Sequence, residues 1–172
     1  MSVFRIGAAP PPSFDDPIGM LEACHRRIER HLETLARASA ALAADAQGAL
    51  AALAEVLGYF DQAGVRHKED EEFSLFPRVM GEDTAALLRR LEDEHRTHDA
   101  IYLSVKAVVA RVRDEPARAA ELQAELEAHA AAMAGAYRDH IALEEAELFP
   151  HGRALDPREL RAIGIEMRLR RG

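Results

Sequence analysis

An eleven-residue pattern, His-x-x-x-Glu-Glu-x-x-Leu-Phe-Pro, occurs twice in this chain, at residues 67–77 and at residues 140–150. Residues four positions apart lie on the same face of an α-helix, so each copy directs an imidazole and a carboxylate at one spot. These two groups together suit iron, zinc or manganese. The Leu-Phe pair supplies apolar cover, and the proline predicts that each helix ends near that position. Two copies with the same tail are much stronger evidence for a metal site than one copy.

The composition is typical of a helical domain. The chain has 172 residues, is rich in alanine and leucine, and contains 5% aromatic residues, which favours one helical domain with a core. Its formal charge of -8 argues against nucleic acid as a partner. No apolar run could span a membrane and no secretion signal is recognisable, so we expect a cytoplasmic location. The only cysteine, Cys24, excludes an internal disulfide and is expected to be an inert buried thiol.

Apolar residues spaced three and four apart predict four long helices, at 17–44, 47–76, 84–113 and 116–150. Short connections between long helices predict an all-α fold, an antiparallel up-down-up-down four-helix bundle. The bundle is assigned to residues 16–151, after an extended N-terminal arm at 1–15. Asp156 and Pro157 open a short C-terminal helix, and residues 152–172 comprise this helix and a basic tail that we expect to be solvated.

Six side chains with ligand chemistry fall at one depth of such a bundle. Four histidines lie roughly 12–17 Å inside the same end, at about 1.5 Å per residue, and two glutamates lie one turn nearer that end. The predicted metal ligands are His25, His67, Glu71, His95, His140 and Glu144. The alternative is a buried polar layer held by hydrogen bonds. So many polar groups at one depth would be costly to bury without partners, and this favours a metal site.

Four further side chains could bind the metal or contact its ligands from outside. His98 lies on the apolar seam of its helix and could complete a second metal or serve as a core histidine. Asp99 and Glu145 are less well placed, and Tyr102 could donate a hydrogen bond near the centre. An acidic rim exposed to solvent is expected from Glu69, Glu72 and Glu145.

This pattern resembles the hemerythrin-like, HHE cation-binding family over residues 18–150. The residues that match are His25, His67 with Glu71, His95, and His140 with Glu144. The resemblance implies a four-helix bundle with two iron ions in an Fe–O–Fe type centre, where zinc or manganese can substitute. It implies that Glu71 and Glu144 bridge the irons. The chain departs from oxygen-carrying hemerythrins, which have a histidine where this chain has Asp99 and a bridging acid at the position of Glu145.

The leading hypothesis is a non-haem di-iron protein that binds oxygen or nitric oxide, or that senses or stores iron, and that binds ligands rather than catalysing a reaction. One alternative is a ferritin-like di-iron oxidase or peroxidase, in which Glu22 with His25 and Glu92 with His95 form Glu-x-x-His motifs. A further alternative is a metal-stabilised interaction module. A homodimer or an unknown protein partner is compatible with each hypothesis, whereas a membrane partner is not expected.

Overall fold

A computed structural model describes residues 13–172, and within them the chain is helical without a strand, which confirms the predicted all-α fold. The α-helices are α1 Pro17–Ala41, α2 Ala46–Tyr59, α3 Val65–Asp70, α4 Phe76–Val79, α5 Ala85–Asp114, α6 Ala119–Leu143, α7 Phe149–Arg153 and α8 Pro157–Leu169. Most of the predicted N-terminal arm, residues 1–12, lies outside the described part. None of the described helices has the length and hydropathy that crossing a membrane would need.

Three π-helical turns join shorter helices into continuous rods. They are Phe60–Gly64, Glu71–Leu75 and Glu144–Leu148. Residues 46–79 therefore form one helical rod, and residues 119–153 form another. Each rod ends within one turn after the repeat's proline, at Val79 and at Arg153, close to the position that the sequence predicts. A π turn ends two residues before each proline, and its wider backbone accommodates a residue that has no N–H to donate.

The four rods pack as a bundle, with α1 against α2 and α6, and α5 against α2 and α6. Neighbouring rods run in opposite directions, because rising residue numbers on one rod meet falling numbers on the next. The contacts that establish this are His31–Tyr59 and His25–His67, Asp61–Lys106 and Glu72–His95, and Arg111–Glu125 and Glu94–His140.

Two apolar clusters fill the described interior, one at each end of the bundle. The larger cluster contains buried residues such as Leu35, Leu53, Val109, Leu126 and Met133. The smaller contains Ile18, Leu21, Phe76, Leu91 and Phe149, and α8 closes it with Ile163 and Met167, which are both 0% exposed. The histidine and glutamate side chains of the repeat lie in a polar layer between the two clusters. Since packing excludes water on both sides, this layer must satisfy its charges internally.

The basic C-terminal tail is only partly solvated: Arg168 is exposed, as the sequence predicts, whereas Arg170 and Arg171 are not. Arg170 and Arg171 donate to the two carboxylate oxygens of Asp70, at 2.8 and 2.6 Å. Asp70 is 0% exposed and directly precedes Glu71. Arg170 also donates to the Ser74 hydroxyl at 2.7 Å. The tail thus anchors the π turn of the first repeat, because removing it would leave a buried carboxylate without a partner.

Candidate metal centre

The bundle brings all six predicted ligand side chains together. Each rod contributes at least one of them: His25 from α1, His67 and Glu71 from the rod 46–79, His95 from α5, and His140 and Glu144 from the rod 119–153. All six are at most 5% exposed, and both glutamates are 0% exposed. The two glutamates begin the π turns, where the helix widens immediately after the carboxylate. The repeat thus places the same pair of groups on two opposite rods.

The two carboxylates each divide their oxygens between two groups of imidazoles. Glu71 Oε1 lies 3.2 Å from His67 Nε2, and its Oε2 lies 3.4 Å from His95 Nε2. Glu144 Oε2 lies 3.1 Å from His25 Nε2, and its Oε1 lies 3.2 Å from His140 Nε2. The ligand atoms of each group lie within 4.8 Å of one another. Two adjacent four-ligand sites result. Each site has two imidazole nitrogens, one oxygen of Glu71 and one oxygen of Glu144.

Most of these atoms have no hydrogen-bond partner among the described residues. They are His25 Nε2, His140 Nε2, and both carboxylate oxygens of Glu71 and of Glu144. Buried polar atoms without partners are rare and cost about 1–3 kcal/mol each, more when they are charged. A cation in each group would satisfy these atoms, and nitrogen and oxygen donors of this kind suit iron, manganese or zinc. The residues therefore fit a pair of metal ions.

The electrostatics of the metal-free layer lead to the same conclusion. Burial raises the pKa of the Glu71 carboxyl, but nearby imidazoles, foremost that of His67, outweigh it and hold the pKa well below its usual range. Burial lowers the pKa of His25 and His95, yet the carboxylates outweigh burial and raise each pKa to about 10. The two buried carboxylates thus require positive charge in the layer, which either protons or metal ions can provide.

Outer carboxylates orient three of the four imidazoles. Each accepts a hydrogen bond from Nδ1: Glu145 from His25 at 2.9 Å, Glu72 from His95 at 2.7 Å, and Glu94 from His140 at 2.8 Å. With the proton on Nδ1, the lone pair of Nε2 faces the cluster, which is the tautomer that a metal needs. Glu72 and Glu145 were expected in a solvated rim, and both are partly exposed but accept hydrogen bonds from imidazoles, which the sequence anticipated as an alternative for Glu145 only. Glu94 was missed, since it precedes His95 but serves a histidine on another rod.

His67 has a different neighbour. Its Nδ1 has no hydrogen-bond partner among the described residues. The ring faces Cys24 rather than a carboxylate. The Cys24 sulfur lies 3.0 Å from Nη2 of Arg27. Burial raises the pKa of the Cys24 thiol, but His67 and Arg27 outweigh burial and lower the pKa overall. The expected inert thiol is therefore in contact with one of the four imidazoles.

Phenylalanines of the repeat cover the imidazoles, as the Leu-Phe pair predicts. Phe149 stacks on His25 with ring centroids 5.2 Å apart, and Phe76 stacks on His95 at 6.1 Å. Both phenylalanines are at most 2% exposed. They separate the polar layer from the smaller apolar cluster and keep water from reaching the layer on that side.

The remaining candidates lie outside the two groups. The His98 ring is 4.8 Å from the His140 ring and stacks on Tyr137 at 4.1 Å. Asp99 is half exposed and pairs with Lys68 at 2.6 Å. The Tyr102 hydroxyl donates to the Leu57 carbonyl and the Asp61 carboxylate, both at 2.9 Å. Glu145 contacts the centre only through His25, whose Nδ1 donates to it at 2.9 Å.

The ferritin-like alternative lacks its ligands. Glu22 accepts a hydrogen bond from Arg153 at the surface, and neither Glu22 nor Glu92 belongs to a metal-binding group. The Glu-x-x-His motifs of that hypothesis therefore do not form within the described residues.

A cavity of about 50 Å³ adjoins the two groups on the side away from Phe76 and Phe149. Its walls include three of the four imidazoles, together with His98, Tyr102, Tyr137, Phe60 and Gly64. The ion pair of Lys68 and Asp99 also lies in its wall. The centre is thus accessible from one side, through a space too small for a bulky organic substrate.

Comparison with protein families identifies the domain. The model of the hemerythrin HHE cation-binding domain matches residues 16–151. The chain belongs to this family. The matched HHE domain contains both copies of the repeat and all six ligand side chains, and α8 lies beyond it. An uncharacterized protein of Haemophilus influenzae is 30% identical over 169 residues, which cover 92% of this chain and 92% of that protein. That similarity extends beyond the HHE domain and so covers most of the chain.

Proposed function

We propose that this HHE domain holds two iron ions bridged by Glu71 and Glu144, and that it binds a small diatomic ligand, oxygen or nitric oxide. The main support for this proposal is that each carboxylate has one oxygen in each of the two groups. Glu71 and Glu144 each offer one oxygen to either group, at 3.1–3.4 Å from the imidazole nitrogens. Two buried carboxylates in this arrangement match a pair of cations better than a single one.

The size of the cavity supports a diatomic ligand. One water molecule needs about 10–15 Å³ of such volume, so a cavity of about 50 Å³ holds only a few atoms. Three imidazoles line the cavity and would stand beside a ligand bound at the metal pair. Aromatic side chains form much of the remaining wall, and they limit access of water.

The residues of the chain have separate roles in this function. The four imidazoles bind metal through Nε2, and outer carboxylates keep the Nδ1 atoms of three of them, His25, His95 and His140, protonated. Phe76 and Phe149 exclude water from the opposite side. The iron pair, when bound, supplies the electrons and the open coordination position that a diatomic ligand requires.

The test is metal analysis of the protein isolated from cells grown with iron. We expect about two irons per chain, with absorption and Mössbauer spectra of a coupled pair and changes in absorption when nitric oxide is added. Fewer than about one iron per chain under these conditions, or a pair that gives no response to either gas, would contradict the proposal.

A further inference from the structure

The two copies of the repeat differ three residues before their histidines. The residue at this position is Gly64 in the first copy and Tyr137 in the second. Both residues line the cavity beside the metal-binding groups. A side-chain atom added at Gly64 would meet Phe60 Cδ1 at 3.2 Å, so a larger residue there would crowd the wall of the cavity. The wall of one cavity thus contains a position without a side chain on one rod and a tyrosine ring on the opposite rod.

The Tyr137 ring is held firmly, but its hydroxyl is uncommitted. The ring stacks on His98 with an interplanar angle of 16° and contacts Phe60 at 5.7 Å between centroids. No hydrogen bond from the Tyr137 hydroxyl is found within residues 13–172. Tyr102, in the same cavity wall, differs because its hydroxyl donates to Leu57 and Asp61.

The other polar groups of the cavity wall have partners of their own. The His98 ring packs against the rings of Tyr137 and His140, and Lys68 pairs with Asp99. The other three imidazoles of the wall, those of His67, His95 and His140, are members of the metal-binding groups. A donor without a protein partner, fixed by ring packing beside a small cavity, is preorganised for a ligand.

We propose that Tyr137 donates a hydrogen bond to the small ligand in this cavity and so favours ligands with a strong acceptor atom. The inference rests on the proposed function, since the ligand is the one bound beside the metal pair. A hydrogen bond of this kind stabilises a ligand that carries partial negative charge more than an apolar one. Tyr137 is therefore a determinant of ligand specificity that does not itself bind metal.

The experiment compares Tyr137→Phe with Tyr102→Phe, both iron-loaded, and uses azide as the probe. Each variant loses one hydroxyl group, and both tyrosines line the same cavity. We expect Tyr137→Phe to keep its iron content and thermal stability while its Kd for azide rises about fivefold, as for the loss of one hydrogen bond. The Kd of Tyr102→Phe should change less than twofold. The iron content of each variant is measured on the same samples.

Three results would overturn the inference. Equal azide affinity in Tyr137→Phe and the parent, each with two irons per chain, removes the proposed role of the hydroxyl and leaves the metal-pair function intact. Loss of iron in Tyr137→Phe assigns the residue to holding metal instead. A parent protein without paired iron removes the proposed function and, with it, this inference.

Discussion

At the scale of single residues, the histidine layer is only partly symmetric. Three imidazoles donate to a carboxylate, whereas His67 lies beside Cys24. Cys24 precedes His25 as Glu94 precedes His95, so the two residues occupy matching positions in the two halves. A carboxylate partner makes an imidazole a stronger ligand than a thiol partner does. The two metal positions should therefore differ in affinity, with the weaker one at His25 and His67.

Removing a bridging carboxylate should have a larger effect than removing one imidazole. Each glutamate faces both groups, whereas each histidine serves one. We expect Glu71→Ala or Glu144→Ala to abolish the paired-iron spectrum, and His67→Ala or His140→Ala to leave about one iron per chain. Metal analysis with Mössbauer spectroscopy measures both. Glutamate variants that retain two irons would show that these carboxylates do not bridge.

An outer carboxylate should also contribute to metal affinity. Glu94 accepts the Nδ1 proton of His140 at 2.8 Å and is not itself a member of either group. Replacing Glu94 with alanine should weaken metal binding by roughly tenfold or more, the usual effect of losing such a partner. Competition with a chelator measures the change. Glu92→Ala on the same helix is the matched control, and an equal effect of both substitutions would refute the role of Glu94.

At the scale of elements, hydrophobic spacing predicted the long helices well, because an apolar seam must face the core whatever the details of the backbone. The same spacing predicted that His140 and Glu144 share a face. It could not predict the π turns at Glu71 and Glu144, since a change of backbone hydrogen bonding leaves no mark in the pattern of apolar residues. The partners of Glu72, Glu94 and Glu145 were not predicted either, because each partner lies on another rod.

Contacts between distant elements could not be predicted from the sequence either. The tail arginines looked solvated because their partner, Asp70, lies about a hundred residues away. Asp70 could be recognised only as an acidic residue between two ligands. The six predicted ligand residues could be chosen from sequence because their helix, spacing and depth were all local properties, whereas the cavity is formed by residues of several rods, among them Gly64 and Tyr137.

The C-terminal tail should stabilise both the fold and the first repeat. Deleting residues 170–172 leaves the buried Asp70 unpaired, which should cost about 3 kcal/mol and lower Tm by roughly 6–12 °C. Calorimetry measures the loss. Replacing Asp70 with leucine, the residue at the matching position 143, should restore most of it in the truncated chain. An unchanged Tm after the deletion would show that Arg170 and Arg171 are dispensable.

At the scale of the whole molecule, stability should depend on pH less strongly with metal than without it. The pKa values of His25 and His95 rise from 6.5 to about 10 in the metal-free fold. Their stabilising contribution is complete below pH 6.5 and disappears as pH rises through about 10. Metal binding needs neutral imidazoles, so metal affinity increases over the same range.

We therefore expect the Tm of the metal-free protein to fall by roughly 5 °C or more between pH 6.5 and pH 10. The metal-loaded protein, scanned in the same buffers, should show a smaller decrease. Differential scanning calorimetry measures both. Parallel pH profiles for the two forms would mean that the layer does not exchange protons for metal.

The polar layer between the two apolar clusters has a consequence for cooperativity. Each cluster packs within its own end of the bundle, and the histidine and glutamate layer separates them. Apolar packing therefore couples the unfolding of the two ends only weakly. The strength of the interactions within the polar layer decides whether the bundle unfolds as one unit or as two. A metal pair bound to all four rods would couple the ends, so that metal loading changes the number of folding units as well as their stability.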